Sequence, residues 1–239
     1  MKSLPTLAAL KRELAQASDP ERARNLARFF KTGKGEYGEG DKFIGLTVPD
    51  ERAIAKKYRH LELDEVEKLL QSRVHEHRAV GLMLLVAQYE MGDTAARQTV
   101  FNFYLDHTGC INNWDLVDGS APYIVGEHLV SRSRRVLYRL AKSSDLWERR
   151  IAIIATMAFI REGDLKDTFA IATLLLSDEH DLIHKAIGWM LREAGKRSRL
   201  EMIEFLKRNY TRMPRTALRY AIERLPEAQR KRALKGPFA

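Results

Sequence analysis

Three stretches of this chain, Arg78-Ala79-Val80-Gly81-Leu82, Arg150-Ile151-Ala152-Ile153-Ile154 and Lys185-Ala186-Ile187-Gly188-Trp189, each set a basic residue ahead of small and aliphatic ones. The second begins 72 residues after the first and the third 35 after the second, and Trp114 stands midway in the longer gap, 36 residues from either side. A recurrence of that length is what stacked helical hairpins produce, because each hairpin has one apolar face that it can bury only against the next. The spacing places Arg78, Trp114, Arg150 and Lys185 at equivalent points near the starts of the second helices. Equivalent points in a solenoid line up along one surface, so these four are expected to face a common basic trough with Asp118 in its middle.

From Val48 onward the chain is almost wholly helix-length apolar periodicity, interrupted at Leu63-Asp64, Gly92-Asp93, Gly109, Ser143-Ser144, Gly163-Asp164, Ser177-Asp178 and Met213-Pro214. Alternation with a period of two is nowhere sustained, which predicts a chain without a sheet. With 45% hydrophobic and 31% charged residues, the composition is that of a folded core. We expect an all-α fold of about a dozen helices, forming one α-solenoid domain over residues 1–239. Ahead of it, Leu4 to Gln16 reads as a helix, and Ser18-Asp19-Pro20-Glu21 as a capping box opening a second helix that ends near Lys31. The segment from Gly33 to Gly45 holds five glycines. It lacks both a preceding strand and the Gly-Lys-Ser/Thr ending of a phosphate loop, so it reads as a connector.

The formal net charge is +9 and the isoelectric point about 9.6, which makes a polyanion the first partner to consider. One cysteine, Cys110, excludes an internal disulfide. Neither a signal peptide nor a long apolar span is evident, so no membrane partner and a cytoplasmic location are expected. His75 and His77 are two apart and fall on different sides of a helix, and His107, His128, His180 and His184 form no ligand spacing. Cys110 has no local base. No metal, no cofactor and no covalent nucleophile are therefore expected.

The chemistry concentrates in Asn113-Trp114-Asp115-Leu116-Val117-Asp118. Spacing of four puts the Trp114 ring and the Asp118 carboxylate side by side on one helix face, where ring quadrupole and anion both favour positive charge. Asp115 lies nearer the helix start and is expected to serve the free amides or the helix dipole, leaving Asp118 as the functional acid. Trp147, in Leu146-Trp147-Glu148-Arg149-Arg150, reads as a packing residue. Trp189 lies in Lys185-Ala186-Ile187-Gly188-Trp189-Met190-Leu191-Arg192.

On Trp114-Asp115-Leu116-Val117-Asp118, Trp147-Glu148-Arg149-Arg150 and Lys185-Ala186-Ile187-Gly188-Trp189-Met190-Leu191-Arg192-Glu193, the chain resembles the AlkD-like DNA alkylation repair glycosylases. The resemblance runs from about Glu21 to Arg224. It implies a right-handed superhelical stack of HEAT-like antiparallel helix pairs, acting as a monomer on duplex DNA. It also implies hydrolytic excision of N3- and N7-alkylated purines, with the lesion held against an open cleft and without a deep base-flipping pocket. The family's catalytic aspartate falls on Asp118, its cleft tryptophans on Trp114 and Trp189, and a backbone-contacting arginine on Arg150. Lys185, Arg192 and Arg78 complete the expected DNA-binding set. The family's usual tyrosine on the second helix is replaced here by Phe29-Phe30, of which Phe29 is assigned to DNA contact, and the Gly33–Gly45 loop is longer. The other reading open at this level is a non-catalytic helical-repeat protein that binds damaged or branched nucleic acid, or another protein.

Overall fold

The computed structural model describes residues 6–236, so Leu4, where the first predicted helix begins, lies outside it. Among the described residues there is no strand, and the only bridge is an isolated parallel one between Lys42 and Val74. The described chain divides into two compact units, with the boundary at Ile124–Val125.

The first unit holds α1 (Leu7–Gln16), α2 (Pro20–Phe29), α3 (Val48–Lys57), α4 (Leu63–Leu70), α5 (His75–Met91), α6 (Thr94–Asp106) and α7 (Trp114–Asp118). Its hub is α5, 17 residues long, against which α3, α4, α6 and α7 all pack. Its small-and-aliphatic run explains this role: Ala79, Val80, Leu82, Leu84 and Leu85 are all buried, and Gly81 brings α5 onto Leu69 and Leu70 of α4. The cap of α2 belongs to Asp19, which accepts from the amides of Glu21 and Arg22; the box expected from Ser18 does not form. Asp19 succeeds because its carboxylate sits one residue ahead of Pro20, which needs no amide partner at the first helical position. A capping box does form at Thr47 and Asp50, where α3 begins.

The glycine-rich connector is held by partners distant in sequence. The Lys42 amide donates to the Arg73 carbonyl and Lys42 accepts from the His75 amide, at 2.9 and 2.8 Å. The buried Glu76 carboxylate takes the amides of Ile44 and Gly45. Gly45 has φ +87, and a Cβ there would lie 2.1 Å from the Asp19 carbonyl oxygen, so only glycine fits.

In the second unit, α8 (Glu127–Leu129) and α9 (Arg135–Leu140) precede α10 (Leu146–Ile154), α11 (Met157–Arg161), α12 (Lys166–Leu175), α13 (Asp181–Arg197), α14 (Arg199–Asn209), α15 (Arg215–Ala221) and α16 (Glu227–Lys235). Here the hub is α13, again 17 residues, with α10, α11, α12, α14 and α15 around it. Helices joined by short turns, α12 to α13 and α13 to α14, pack side by side as hairpins. The predicted all-α solenoid class therefore holds, with repeating pairs each burying an apolar stripe.

Candidate active site

The short helix α7 is fixed from both sides. Asn113, fully buried, caps it by accepting the Trp114 amide at 2.9 Å, and Leu116 and Val117 anchor its inner face in the core. With those two positions inward, Trp114 and Asp118 share the outer face, both half-buried, and both line one cavity. Trp114 belongs to an aromatic column. Its ring stacks on Phe30 at 5.3 Å and 15°, Phe30 stacks on Phe43 at 5.0 Å, and Phe43 on the imidazole of His75 at 4.6 Å. Phe29 is 64% exposed and meets Trp114 edge-on at 6.0 Å.

A chain of charges runs beneath this aromatic column. Arg78 Nη2 donates to Asp41 Oδ2 at 2.6 Å, Asp41 Oδ2 lies 3.2 Å from His75 Nδ1, and His75 Nε2 lies 2.8 Å from Asp115 Oδ2. Burial opposes a charge on His75, but the two carboxylates outweigh it and raise its pKa to about 9. Both ring nitrogens therefore carry protons at neutral pH. Burial likewise opposes the charge of Asp41, and His75 and Arg78 hold its carboxyl below the usual range. Asp115 does stand in the first turn of α7, as the sequence suggested, but it satisfies no free amide: Asn113 does the capping, and the Asp115 carboxylate ends the network by turning to His75. Its other oxygen, Oδ1, is buried without a hydrogen-bond partner.

The cavity occupies about 720 Å³, within the range of small-ligand sites. Leu82, Met83, Val86 and Ala87 of α5 form an apolar wall, while Glu51, Trp114, Asp115 and Asp118 gather on its lining. Arg52, Lys56 and Arg59 line it too and are exposed. Glu51 is 6% exposed, and burial, with Glu76 and Asp115 nearby, pushes its carboxyl up to about 8. Sequence reasoning missed Glu51, His75, Asp41, Phe30 and Phe43. No local signal marks them, since Asp41 and Asp115 reach His75 from 34 and 40 residues away.

The other expected site residues separate by exposure. Arg78 and Arg150 stand near helix starts as the period predicted, but they are 3% and 4% exposed, so neither presents a surface to phosphates. Arg78 is held by Asp41 and the Ser72 carbonyl, and Arg150 donates to the Leu182 carbonyl at 2.5 Å, bracing the first turn of α13. Both guanidinium groups are thus occupied within the fold, because so near a helix start they find backbone carbonyls and, for Arg78, a buried acid to bind. Lys185 pairs with Asp181 at 2.8 Å and keeps 41% of its side chain exposed, while Arg192 pairs with Glu193 and Glu223. Trp189 is half-buried and lines a recess of the second unit with Met157, Arg161, Lys196 and Arg197. Trp147 is buried, as expected of a packing residue. Among the described residues no group of three or more His, Cys, Asp or Glu could hold a metal, and no helix is long and apolar enough to cross a membrane.

A family model, DNA alkylation repair enzyme, matches residues 10–225 of the chain. The chain belongs to the DNA alkylation repair enzyme family. A solved structure described as a predicted DNA alkylation repair enzyme from Enterococcus faecalis is similar in fold, with a TM-score of 0.69 and 18% identity, over 88% of this chain and 97% of that one. No curated protein matches the chain. Family membership makes repair of alkylation damage the activity and DNA the partner.

Proposed function

We propose that this family member is a monofunctional DNA glycosylase that hydrolyses the N-glycosidic bond of N3- and N7-alkylated purines. The observation that carries the reading is the joint presence of the Trp114 ring and the Asp118 carboxylate on the lining of one cavity. An alkylated purine of this class is already cationic and leaves without help, so the enzyme must chiefly stabilise the sugar cation and place a water. Asp118 supplies the negative charge and accepts the proton of the attacking water. Trp114, braced by Phe30 and Phe43, offers a ring face to the cationic nucleotide, and exposed Phe29 extends that apolar surface. In the second unit, Trp189 is proposed to present its ring to DNA, and Lys185 and Arg192 to exchange their carboxylate partners for phosphates.

Excision of 7-methylguanine from duplex DNA tests this. Asp118→Asn keeps the side-chain size and removes the charge, and a loss of a few kcal/mol of transition-state stabilisation lowers the rate about a hundredfold or more. DNA affinity should hold. A folded Asp118→Asn protein that binds DNA and excises at the parental rate removes Asp118 from the mechanism.

A further inference from the structure

Glu51 is the buried acid that the reading above does not use. It sits in the first turn of α3, 6% exposed, and lines the same cavity as Trp114 and Asp118. Thr47, the residue that precedes α3, and Asp50 form the capping box, so Glu51 is not needed to cap the helix. No side chain or amide among the described residues hydrogen-bonds its carboxyl, although Glu76, one helix away, is satisfied by two amides. A buried carboxyl without a donor does not ionise readily, because nothing replaces the water its charge would lose.

The charged and titratable groups around it agree. From α5, Glu76 opposes ionisation and the His75 cation favours it, Asp115 of α7 opposes it, and Arg52 on α3 itself favours it weakly; burial is the largest influence. Glu13 of α1, which also packs on α3, is occupied with Lys57 and Tyr58. The carboxyl accordingly keeps its proton up to about pH 8. A neutral acid lining a ligand-sized cavity, with an unspent O–H, is a hydrogen-bond and proton donor in search of an acceptor.

We propose that Glu51 is a general acid toward the departing base, so that the cavity also processes purine lesions that carry no charge. The inference rests on the glycosylase reading. A neutral purine leaves as an anion unless it is protonated, which is the step a cationic lesion does not require. As the bond from C1′ to N9 breaks, its electron pair goes to the purine, and the Glu51 proton moves to a ring nitrogen, so the base departs neutral. Water adds to C1′, its proton passes to Asp118 and on to solvent, and Glu51 regains a proton from solvent at the open side of the cavity, where Arg52 and Lys56 are exposed.

The test is single-turnover excision of 1,N6-ethenoadenine, a neutral alkylated purine, and of 7-methylguanine, by the wild-type protein, Glu51→Gln and Glu51→Leu, from about pH 6 to about pH 9. General acid catalysis contributes about a hundredfold or more. Both variants should therefore lower the ratio of neutral to cationic excision at least about tenfold. The wild-type rate on the neutral lesion should fall as pH rises through about 8, a limb absent for 7-methylguanine. Glu51→Leu guards against folding failure of the amide, since leucine suits the burial. An unchanged ratio in both folded variants overturns the inference. So does a wild-type protein that removes 7-methylguanine and never the neutral lesion, a result that leaves the glycosylase reading standing. Removal of neither base overturns both.

Discussion

His75 and Glu51 are both buried and shifted in the same direction, which ties stability to pH through two named side chains. Both have folded pKa values above their unfolded ones, His75 at about 9 against 6.5 and Glu51 at about 8 against 4.5. The native state therefore binds more protons than the unfolded one, and each contribution fades as pH rises, over the window from 4.5 to 8 for Glu51 and from 6.5 to 9 for His75. His77 and His128 act oppositely: burial lowers both to about 4, so their contribution fades as pH falls from 6.5 toward that value. Melting temperature should consequently peak near pH 6.5, where the two lowered histidines cease to gain and His75 begins to lose, and fall on both sides. Asp115→Asn removes one of the two carboxylates that keep His75 charged. It should cost about 1 kcal/mol at neutral pH, since Asp115 is partly exposed and His75 keeps Asp41, and bring the His75 titration, followed by NMR, down from about 9. An unchanged titration in that variant would show that Asp41 and not Asp115 governs the imidazole. At this scale the sequence was legible where spacing is local: the face shared by Trp114 and Asp118 follows from a helical turn. It was opaque where the partner is remote, so His75 looked like a stray histidine and Asp115 like a capping acid.

Two glycines of the hub helix α13 show what the elements ask of their contacts. A Cβ on Gly188 would lie 2.4 Å from Tyr220 Cβ and 2.5 Å from the Ala217 carbonyl oxygen, both on or fixed by α15, so the two helices touch backbone to backbone there. The atoms nearest to a Cβ on Gly195 would be those of the flexible Met202 side chain, at 3.0 Å and beyond. Gly188→Ala should thus cost about 1–3 kcal/mol by overpacking. Gly195→Ala should be near neutral or gain up to about 1 kcal/mol from helix propensity. Urea unfolding of the pair checks the contrast, and equal effects would mean that α15 yields as easily as a methionine. The helices themselves were mostly readable because apolar periodicity and caps are local: Asp93 and Asp145 cap at or beside the expected breaks, whereas the boundary that Ser198 caps between α13 and α14 was not among them. The connector was not, since it is ordered by Glu76, Arg73 and His75 from beyond its own sequence. Nor was the exposure of Arg78 and Arg150, because a repeat period sets where a residue stands along its helix and says nothing of what its side chain finds there.

Over the whole molecule, charge and family lead independently to the same partner. A formal net charge of +9 favours any polyanion, while the family model over residues 10–225 specifies DNA repair. Not all of that positive charge is available. Arg78, Arg134 and Arg149 are committed to buried or half-buried acids, whereas Arg52 and Lys56 at the cavity form no ion pair among the described residues. The free cations beside the cavity can neutralise phosphates without first breaking a pair, which is the arrangement that gives sequence-independent affinity through counterion release. Binding to undamaged duplex should therefore be measurable and weaken steeply with salt, about a thousandfold between 50 and 200 mM if six phosphates are met. Replacing both Arg52 and Lys56 by glutamine should reduce the slope of log affinity against log salt by about two, one for each phosphate contact removed. The affinity loss should be uniform across sequences, as befits backbone contacts. If the double variant keeps the parental slope, the duplex approaches by a face other than the one that carries Glu51, Trp114 and Asp118. The assignment of chemistry to that cavity would then fall with it.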